Sequence, residues 1–371
     1  MIDKFGRKLF LATMALLLVS ISTLCACNGS GSANITDSNK TTDVSNIGLN
    51  GAGATFPAPL YMKWFDEYSK LTGIDINYQA VGSGAGITAI TSGNVDFGAS
   101  DAIMTDAQVA AAQAAYGPIL AIPSTIGAVA IAYNLPSLGQ TQLKLTGDLL
   151  ANIYLKKIDN WDDPAIAALN PGVNFPNLAI AVVHRSDSSG TTFIFTNYLA
   201  KISQQWAVQV GNATLVSWPG DVGGSGSAGV AGEVQQISGA IGYIELAYVI
   251  ANNMKYALIQ NSSGNYIKPS LDSASAAADG VTLPADMKIM ITNSGNPTAY
   301  PIVGFTWLLV YQNQTDQTKG QELVNMLWWA IHSGQQYNNT LTYPVLPANA
   351  VTNAENEINS ITCNRQPLQH N

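Results

Sequence analysis

The chain alternates between apolar runs of strand length and polar, glycine-rich turns that lead into segments with helical spacing. Such turns follow the runs at 75–81 and 178–183, and another opens the folded part at 48–59. At 48–59, Pro57 and Pro59 suit the first turn of a helix. After the runs at 75–81 and 178–183 the pattern predicts a strand, then a turn, then a helix N-terminus, and at 48–59 it predicts a glycine turn that leads into a helix. The sequence therefore predicts an α/β fold in which several helix starts follow strand ends.

The polar stretch 183–192, Val-His-Arg-Ser-Asp-Ser-Ser-Gly-Thr-Thr, has the composition of an oxyanion site. Ser188 or Ser189 can cap the following helix and leave the amides of Gly190, Thr191 and Thr192 free at its positive end. Arg185 offers a planar fork for two oxygens of a tetrahedral anion, and Asp187 can orient it. The alternative is a capped helix beside a surface Arg-Asp pair.

Two further helix starts carry residues of the same kind. Thr55 and Phe56 precede the helix that the apolar positions between residues 60 and 71 predict. Ser83 lies in a Gly-Ser-Gly turn, where its hydroxyl can cap a helix or face a ligand. The Phe56 ring can instead pack on its own helix. Three such turns indicate an anion site more strongly than any one of them.

Asp101 follows the short run 94–100 and should lie at the carboxyl end of a strand, where ligands collect in open α/β sheets. An ionised Asp101 can accept a hydrogen bond from the P–OH of hydrogen phosphate. Sulfate has no such proton and would leave the carboxylate unpaired. The alternative is that Asp101 caps a helix beginning near Thr105.

Two long apolar strands, near 122–133 and 300–310, bracket the middle of the chain. They suggest two crossings between lobe 1, residues 48–132 plus 300–371, and an inserted lobe 2, residues 133–299. The stretch 220–232 carries six glycines and predicts a mobile or tightly turning loop.

The N-terminus predicts export. A basic start, a short apolar core and the sequence Leu24-Cys-Ala-Cys27 are typical of a lipoprotein signal peptide at 1–26, with lipidation of Cys27. The alternative is ordinary cleavage that leaves a free thiol. Residues 27–47 are polar and should form a flexible tether.

The net charge and the cysteine count limit which partners and cross-links we expect. The chain has a net charge of −8, and loss of residues 1–26 removes three basic residues and one acidic residue, which leaves −10. Nucleic acid is therefore excluded as a partner, but local donors can still hold a small anion. Once residues 1–26 are removed, the cysteines that remain are Cys27 and Cys363. Because lipidation of Cys27 leaves Cys363 without a partner, we expect no disulfide.

The chain resembles the periplasmic phosphate-binding proteins of bacterial phosphate ABC importers, the PstS family. Six stretches carry the likeness: 51–59, 82–84, 95–101, Tyr154-Leu with Lys157 and Trp161-Asp-Asp163, Arg185 with Asp187 and 189–191, and 239–243. The resemblance implies a bilobed type 2 binding fold in which a two-strand hinge joins two α/β domains around a ligand cleft. It also implies phosphate contacts from Thr55, Phe56, Ser83, Asp101, Arg185, Ser189, Gly190 and Thr191, with Asp187 steadying Arg185. Two positions, His184 and Ser188, depart from the family pattern, and His184 is given no role.

We therefore expect a monomeric, non-enzymatic receptor without cofactor or metal, which delivers inorganic phosphate to membrane permease subunits and is anchored through Cys27. One alternative is an exported phosphatase with Ser189 or Thr191 as nucleophile. That reaction needs a base or a metal pair, and the histidines His184, His332 and His370 form no cluster with ligand spacing. The other alternative is a binding protein for sulfate, molybdate or a phosphonate.

Overall fold

The computed structural model describes residues 47–220 and 222–370, which belong to one unit of the chain, Asp43–Asn371. The predicted signal peptide at 1–26, the lipidation site Cys27 and residues 27–46 of the predicted tether lie outside the described residues. Among the helices that are described, none is both long enough and apolar enough to cross a membrane.

The described residues form strands with the following bounds: β1 Gly48–Gly53, β2 Asp75–Ala80, β3 Phe97–Ser100, β4 Ile119–Tyr133, β5 Lys144–Leu145, β6 Ala181–Arg185, β7 Val222–Gly224, β8 Ala240–Glu245, β9 Lys255–Tyr256, β10 Leu258–Gln260, β11 Tyr266–Ile267, β12 Val303–Tyr311, β13 Asn313–Gln314, β14 Thr362–Cys363 and β15 Gln366–Pro367.

The α-helices are α1 Ala58–Thr72, α2 Ser83–Thr91, α3 Asp106–Tyr116, α4 Gly147–Tyr154, α5 Pro164–Leu169, α6 Gly190–Ile202, α7 Gln204–Gln209, α8 Gly226–Gln236, α9 Leu246–Ala251, α10 Leu271–Ala278, α11 Gln317–Ile331 and α12 Ala348–Asn359. Short 3-10 helices lie at Pro136–Leu138, Ser333–Tyr337 and Asn339–Leu341. The predicted α/β fold is confirmed.

The main sheet has the strand order β2-β1-β3-β12-β4-β8-β6-β7, with β9 on β4. We call β2, β1, β3 and β12 its first half, and β8, β6, β7 and β9 its second half. Strand β4 joins them, because residues 119–128 pair with β12 and residues 129–133 pair with β8. The two long strands predicted from the sequence are therefore confirmed as β4 and β12. The predicted lobe boundaries stay a prediction.

Within each half of the sheet, neighbouring parallel strands end on the same side. The two sets run in opposite directions, so their carboxyl ends face each other beside the middle of β4. Strands β2 and β3 run parallel to β1, and β7 and β8 run parallel to β6. The side chains of the main sheet form a continuous apolar core. Strands β4, β8 and β12 are almost completely buried in it. The polar turns that follow these strands are therefore held in place by the packed core.

Capping residues explain where α1 ends and where α3 begins. Helix α1 has Pro59 in its first turn and ends at Gly73, whose backbone is left-handed (φ 76°). Helix α3 begins at Thr105, which forms a reciprocal capping box with Gln108. The end of α1 just after the apolar positions 60–71 and the start of α3 near Thr105 both match the sequence prediction.

The prediction for 220–232 was wrong. Within this stretch, residues 222–224 form β7 and residues 226–232 form the first part of α8, not a mobile loop. Three of the glycines lie inside α8, where Val230 and Ala231 are buried against the sheet. Burial of an apolar face stabilises a helix even when its glycines lower its intrinsic propensity.

Candidate functional site

The residues singled out in the sequence meet where the carboxyl ends of the parallel strands in the two halves face each other. Thr55 and Phe56 follow β1, Ser83 opens α2 after β2, and Asp101 follows β3. From the second half, Arg185 is the last residue of β6, and 189–191 form the start of α6. All of these side chains are buried.

Ser83 connects the two halves of the site. Its hydroxyl oxygen accepts hydrogen bonds from the amide of Asp101 (3.2 Å) and from the amide of Gly190 (3.1 Å). The N-cap of α2 is Gly82 and not Ser83. The Ser83 hydroxyl is therefore free of capping and faces the other predicted residues.

Asp101 is buried, and its two carboxylate oxygens have different surroundings. Its Oδ1 accepts a hydrogen bond from the hydroxyl of Thr306 (2.8 Å), while Oδ2 faces Gly190. Burial raises the pKa of Asp101 to about 7, against the opposing effects of the Thr306 hydrogen bond and the Arg185 charge. The alternative role of Asp101 as the cap of the next helix is wrong, because Thr105 caps α3 itself.

Arg185 and Asp187 form a bidentate ion pair. Arg185 Nε lies 2.7 Å from Asp187 Oδ1, and Nη2 lies 2.5 Å from Oδ2. The third nitrogen, Nη1, lies 3.4 Å from the hydroxyl of Thr191. Arg185 is only 2% exposed, so the interpretation as a surface pair is wrong. Burial raises the pKa of Asp187, but the hydrogen bonds and charge of Arg185 outweigh it and hold the pKa below its ordinary value.

The start of α6 has the geometry of an anion-binding helix end. Ser189 is the N-cap and accepts a hydrogen bond from the amide of Thr192 (3.1 Å). Ser188 instead donates to the hydroxyl of Thr214 (2.9 Å), and its carbonyl accepts from the amide of Gly84 (3.0 Å). The amides of Gly190 and Thr191 thus lie at the positive end of α6, beside the arginine.

Thr55 and Phe56 join the site through the turn before α1. The Thr55 hydroxyl lies 3.0 Å from the hydroxyl of Ser227 and accepts from its amide at 3.2 Å. The Phe56 ring packs on Gly127 of β4 and, edge-on, on Tyr343. Its backbone is therefore the part of Phe56 that is available to a ligand.

Several residues that shape the site were not singled out by the sequence pattern. Gly226 and Ser227 begin α8, and the Gly226 amide donates to Asp187 (3.0 Å). Thr306 interrupts the apolar strand β12 and supports Asp101. A lone hydroxyl in an apolar run was a usable signal for Thr306, whereas nothing local pointed to Ser227.

The surroundings of Ser189 and Thr191 show which groups lie near the two hydroxyls named as alternative nucleophiles. No group of three or more potential metal ligands occurs in the ranges 47–220 and 222–370. The ring of His184, the histidine closest in sequence to Ser189, stacks on Trp218 at 5.0 Å and contacts the carbonyl of Arg185. The hydroxyl, amide and guanidinium donors at the site suit the binding of an anion.

Comparison with known proteins points to one family. Residues 30–325 match the model of a PBP superfamily domain. The chain is 40% identical to the phosphate-binding protein PstS of Xylella fastidiosa strain 9a5c, over 94% of this chain and 98% of that protein. It is 34% identical to the protein of the same name from Methanocaldococcus jannaschii, over 93% of each chain.

Solved structures share the fold. The phosphate-bound structure of PfluDING, described as a high-affinity periplasmic phosphate-binding protein, superposes with a TM-score of 0.69 at 22% identity, over 84% of this chain and 93% of that one. A human phosphate-binding apolipoprotein gives 0.68 at 23% identity, over 82% and 92%. The predicted bilobed periplasmic-binding-protein fold is thereby confirmed, and the names of these relatives, which describe binding, agree with the prediction that the chain is not an enzyme. The chain belongs to the PstS family of phosphate-binding proteins, within the PBP superfamily.

Proposed function

We propose that this protein is an extracytoplasmic receptor that binds inorganic phosphate between the facing carboxyl ends of the strands in the two halves of its sheet and delivers it to an ABC permease for import. The observation that carries the proposal is the meeting of Asp101, Ser83 and Gly190 from different halves of the sheet. Family membership supports the same ligand.

The site supplies donors for the oxygens of one small anion. We assign contacts to the hydroxyls of Thr55, Ser83, Ser189 and Thr191, the amides of Phe56, Gly190 and Thr191, and the Arg185 guanidinium. Each charge-assisted hydrogen bond contributes about 1.5–3 kcal/mol, so a buried set of this size can support micromolar or tighter binding. The partial positive charges at the starts of α2, α6 and α8 add to the attraction.

Asp101 is the element that selects phosphate. When it is ionised, its Oδ2 can accept the proton of a P–OH group, because Oδ1 is already engaged by Thr306. Sulfate brings no proton and would face a buried carboxylate across a short distance. Such a contact costs several kcal/mol, which corresponds to a discrimination of roughly a thousandfold.

The binding residues come from the two proposed lobes, residues 48–132 plus 300–371 and residues 133–299. Strand β4 runs through both halves of the sheet and pairs with β12 along most of its length. We propose that β4 and β12 form the hinge, so that rotation about them opens and closes the site around phosphate.

The remaining assignments rest on the sequence. We propose that the chain is a monomer, that lipid on Cys27 holds it at a membrane, and that residues 27–47 act as the tether. Permease subunits are its proposed protein partners.

Calorimetric titration tests the function. We expect phosphate to bind with micromolar or tighter affinity at about pH 8 and sulfate to bind at least a thousandfold more weakly. A phosphatase assay on the same sample should show no turnover of a phosphate ester. Equal affinities for the two anions would refute the role of Asp101, and turnover would refute the receptor.

A further inference from the structure

A buried carboxyl group lies directly behind the turn that carries Thr55 and Phe56. Glu245 ends β8, is 0% exposed, and accepts a hydrogen bond from the amide of Ala247 at Oε2 (2.8 Å). The same Oε2 lies 2.9 Å from the hydroxyl of Tyr343. That hydroxyl also lies 2.7 Å from the carbonyl oxygen of Phe56. None of these groups is among the assigned ligand contacts.

The number of protons in this chain of contacts favours a protonated Glu245. Tyr343 has one hydroxyl proton and faces two oxygens at hydrogen-bonding distance. Both contacts are hydrogen bonds at once if Glu245 carries a proton on Oε2 and donates it to Tyr343, which then donates to the Phe56 carbonyl.

The surroundings of Glu245 favour the same neutral state. Its Oε1 is buried and has no hydrogen-bond partner within the described residues, which is costly for an ionised carboxylate. None of the salt bridges found among those residues involves Glu245. Burial raises the pKa of Glu245 well above its ordinary value, and the charge of Asp101 acts in the same direction.

A second tyrosine holds the neighbouring carbonyl of the turn. The hydroxyl of Tyr248, in α9, donates to the carbonyl oxygen of Thr55 (2.6 Å). The carbonyl and amide of a trans peptide point in opposite directions. The hydrogen bond to the Thr55 carbonyl therefore directs the Phe56 N–H away from Tyr248.

We propose that Tyr343 and Tyr248 are positioning residues for the phosphate site and that Glu245 supports Tyr343 as a neutral acid. Together they hold both carbonyls of the Thr55–Phe56 turn, so that the Thr55 hydroxyl and the Phe56 amide stay directed at the anion. This inference rests on the proposed function, because it concerns the affinity for phosphate.

The arrangement makes the turn sensitive to alkaline pH. The titratable and charged groups around Glu245 are Tyr343, Tyr248 and Asp101, and the charge of Arg185 also acts on Tyr248. When Glu245 loses its proton, the carboxylate competes for the Tyr343 proton, and the Phe56 carbonyl loses its donor. Ionisation of Glu245 should therefore loosen the turn and weaken phosphate binding.

Removal of the tyrosine hydroxyls tests the positioning role. Titration of Tyr343→Phe and Tyr248→Phe with phosphate should show about tenfold weaker binding for each, as expected for one lost hydrogen bond in a preorganised site. Tyr300→Phe is the matched control, because Tyr300 donates to the carbonyl of Val129 (3.1 Å), away from this turn. It should lose stability but keep its affinity. If both site variants bind phosphate as tightly as the wild type, the positioning role is refuted, whereas a wild type that does not bind phosphate refutes the proposed function instead.

Infrared spectroscopy tests the protonation state. In an Asp101→Asn background at about pH 8, we expect a carboxylic-acid carbonyl band that disappears on adding Glu245→Gln. The ratio of phosphate affinities between the wild type and Glu245→Gln should also fall as the pH rises, since only the wild type can lose this proton. Absence of the band, or a ratio that stays constant while the band is lost at high pH, would refute the neutral acid.

Discussion

The carboxylate of Asp101 lies directly opposite the backbone of Gly190. A Cβ atom built on Gly190 would lie 2.5 Å from Asp101 Oδ2 and 2.5 Å from the hydroxyl oxygen of Ser83. Real Cβ atoms do not approach heavy atoms that closely. Asp101 and Ser83 follow strands of the first half of the sheet and Gly190 follows one of the second, so glycine at this position is what lets the two halves meet.

Gly190→Ala should weaken phosphate binding by about 10- to 100-fold, because overpacking of this kind costs about 1–3 kcal/mol and separates the donors of the two halves. Calorimetric titration measures the loss. Gly232→Ala in α8 is the control, because its nearest neighbour is 3.9 Å from the added atom. Equal effects of the two substitutions would contradict the close approach.

Affinity for sulfate should rise as the pH falls through the pKa of Asp101, about 7. A protonated Asp101 can donate a hydrogen bond to sulfate, and the charge of sulfate does not change in this range. We expect at least tenfold tighter sulfate binding at about pH 5.5 than at about pH 8.5. Asp101→Asn should show the same sulfate affinity at both pH values. A sulfate affinity of the wild type that does not vary with pH would contradict this prediction.

Asp101 should also lower the stability of the ligand-free protein at neutral and alkaline pH. Its pKa is raised from 3.8 to about 7 by burial, so the folded state keeps a proton that the unfolded state releases. The favourable contribution is complete below the unfolded pKa and is lost as the pH rises through the folded value. Urea unfolding at about pH 8 should show Asp101→Asn to be more stable than the wild type by a few kcal/mol, and the difference should vanish near pH 4. A difference that persists unchanged at acid pH would point to another cause.

Asp187→Ala should destabilise the ligand-free protein by about 3 kcal/mol, because it leaves the buried Arg185 guanidinium without its carboxylate. Phosphate should recover part of this loss, since the anion then pairs with the same cation. Thermal unfolding with and without phosphate measures both effects. Asp66→Ala, which breaks the exposed pair with Lys70, is the control and should change stability by less than about 0.5 kcal/mol. A similar loss in the control would contradict the role of burial.

The mature protein should begin at Cys27 and carry lipid on that residue. Intact mass measurement of protein extracted from membranes should show a diacylglyceryl-modified N-terminus, and fatty-acid label should be absent from Cys27→Ala. A mature chain without lipid at Cys27 would support ordinary signal cleavage instead.

The site was predictable where its chemistry is local in sequence. Ser189 caps α6, Arg185 pairs with Asp187, and Asp101 follows a strand, each as the spacing of polar and apolar residues indicated. Such features depend on backbone geometry over a few residues, so capping residues and hydrophobic periodicity predict them.

The supporting residues were not predictable in the same way. Ser227, Tyr248 and Tyr343 reach Thr55 and Phe56 from segments far away in the chain. The glycines of 220–232 also misled the prediction, because burial of α8 against the sheet outweighs their weak helix propensity.

The order of strands, turns and helix starts, and the donors at each turn, are determined by the sequence alone, because periodicity and capping act between near neighbours. Which of those donors face one another is decided by the tertiary structure. Asp101 lies against Gly190 only because β4 passes from one half of the sheet to the other and the parallel strands of the two halves run in opposite directions, so that their carboxyl ends face each other. The same packing buries Asp101 and Glu245 and so raises the pKa of both carboxyl groups, which no local pattern records.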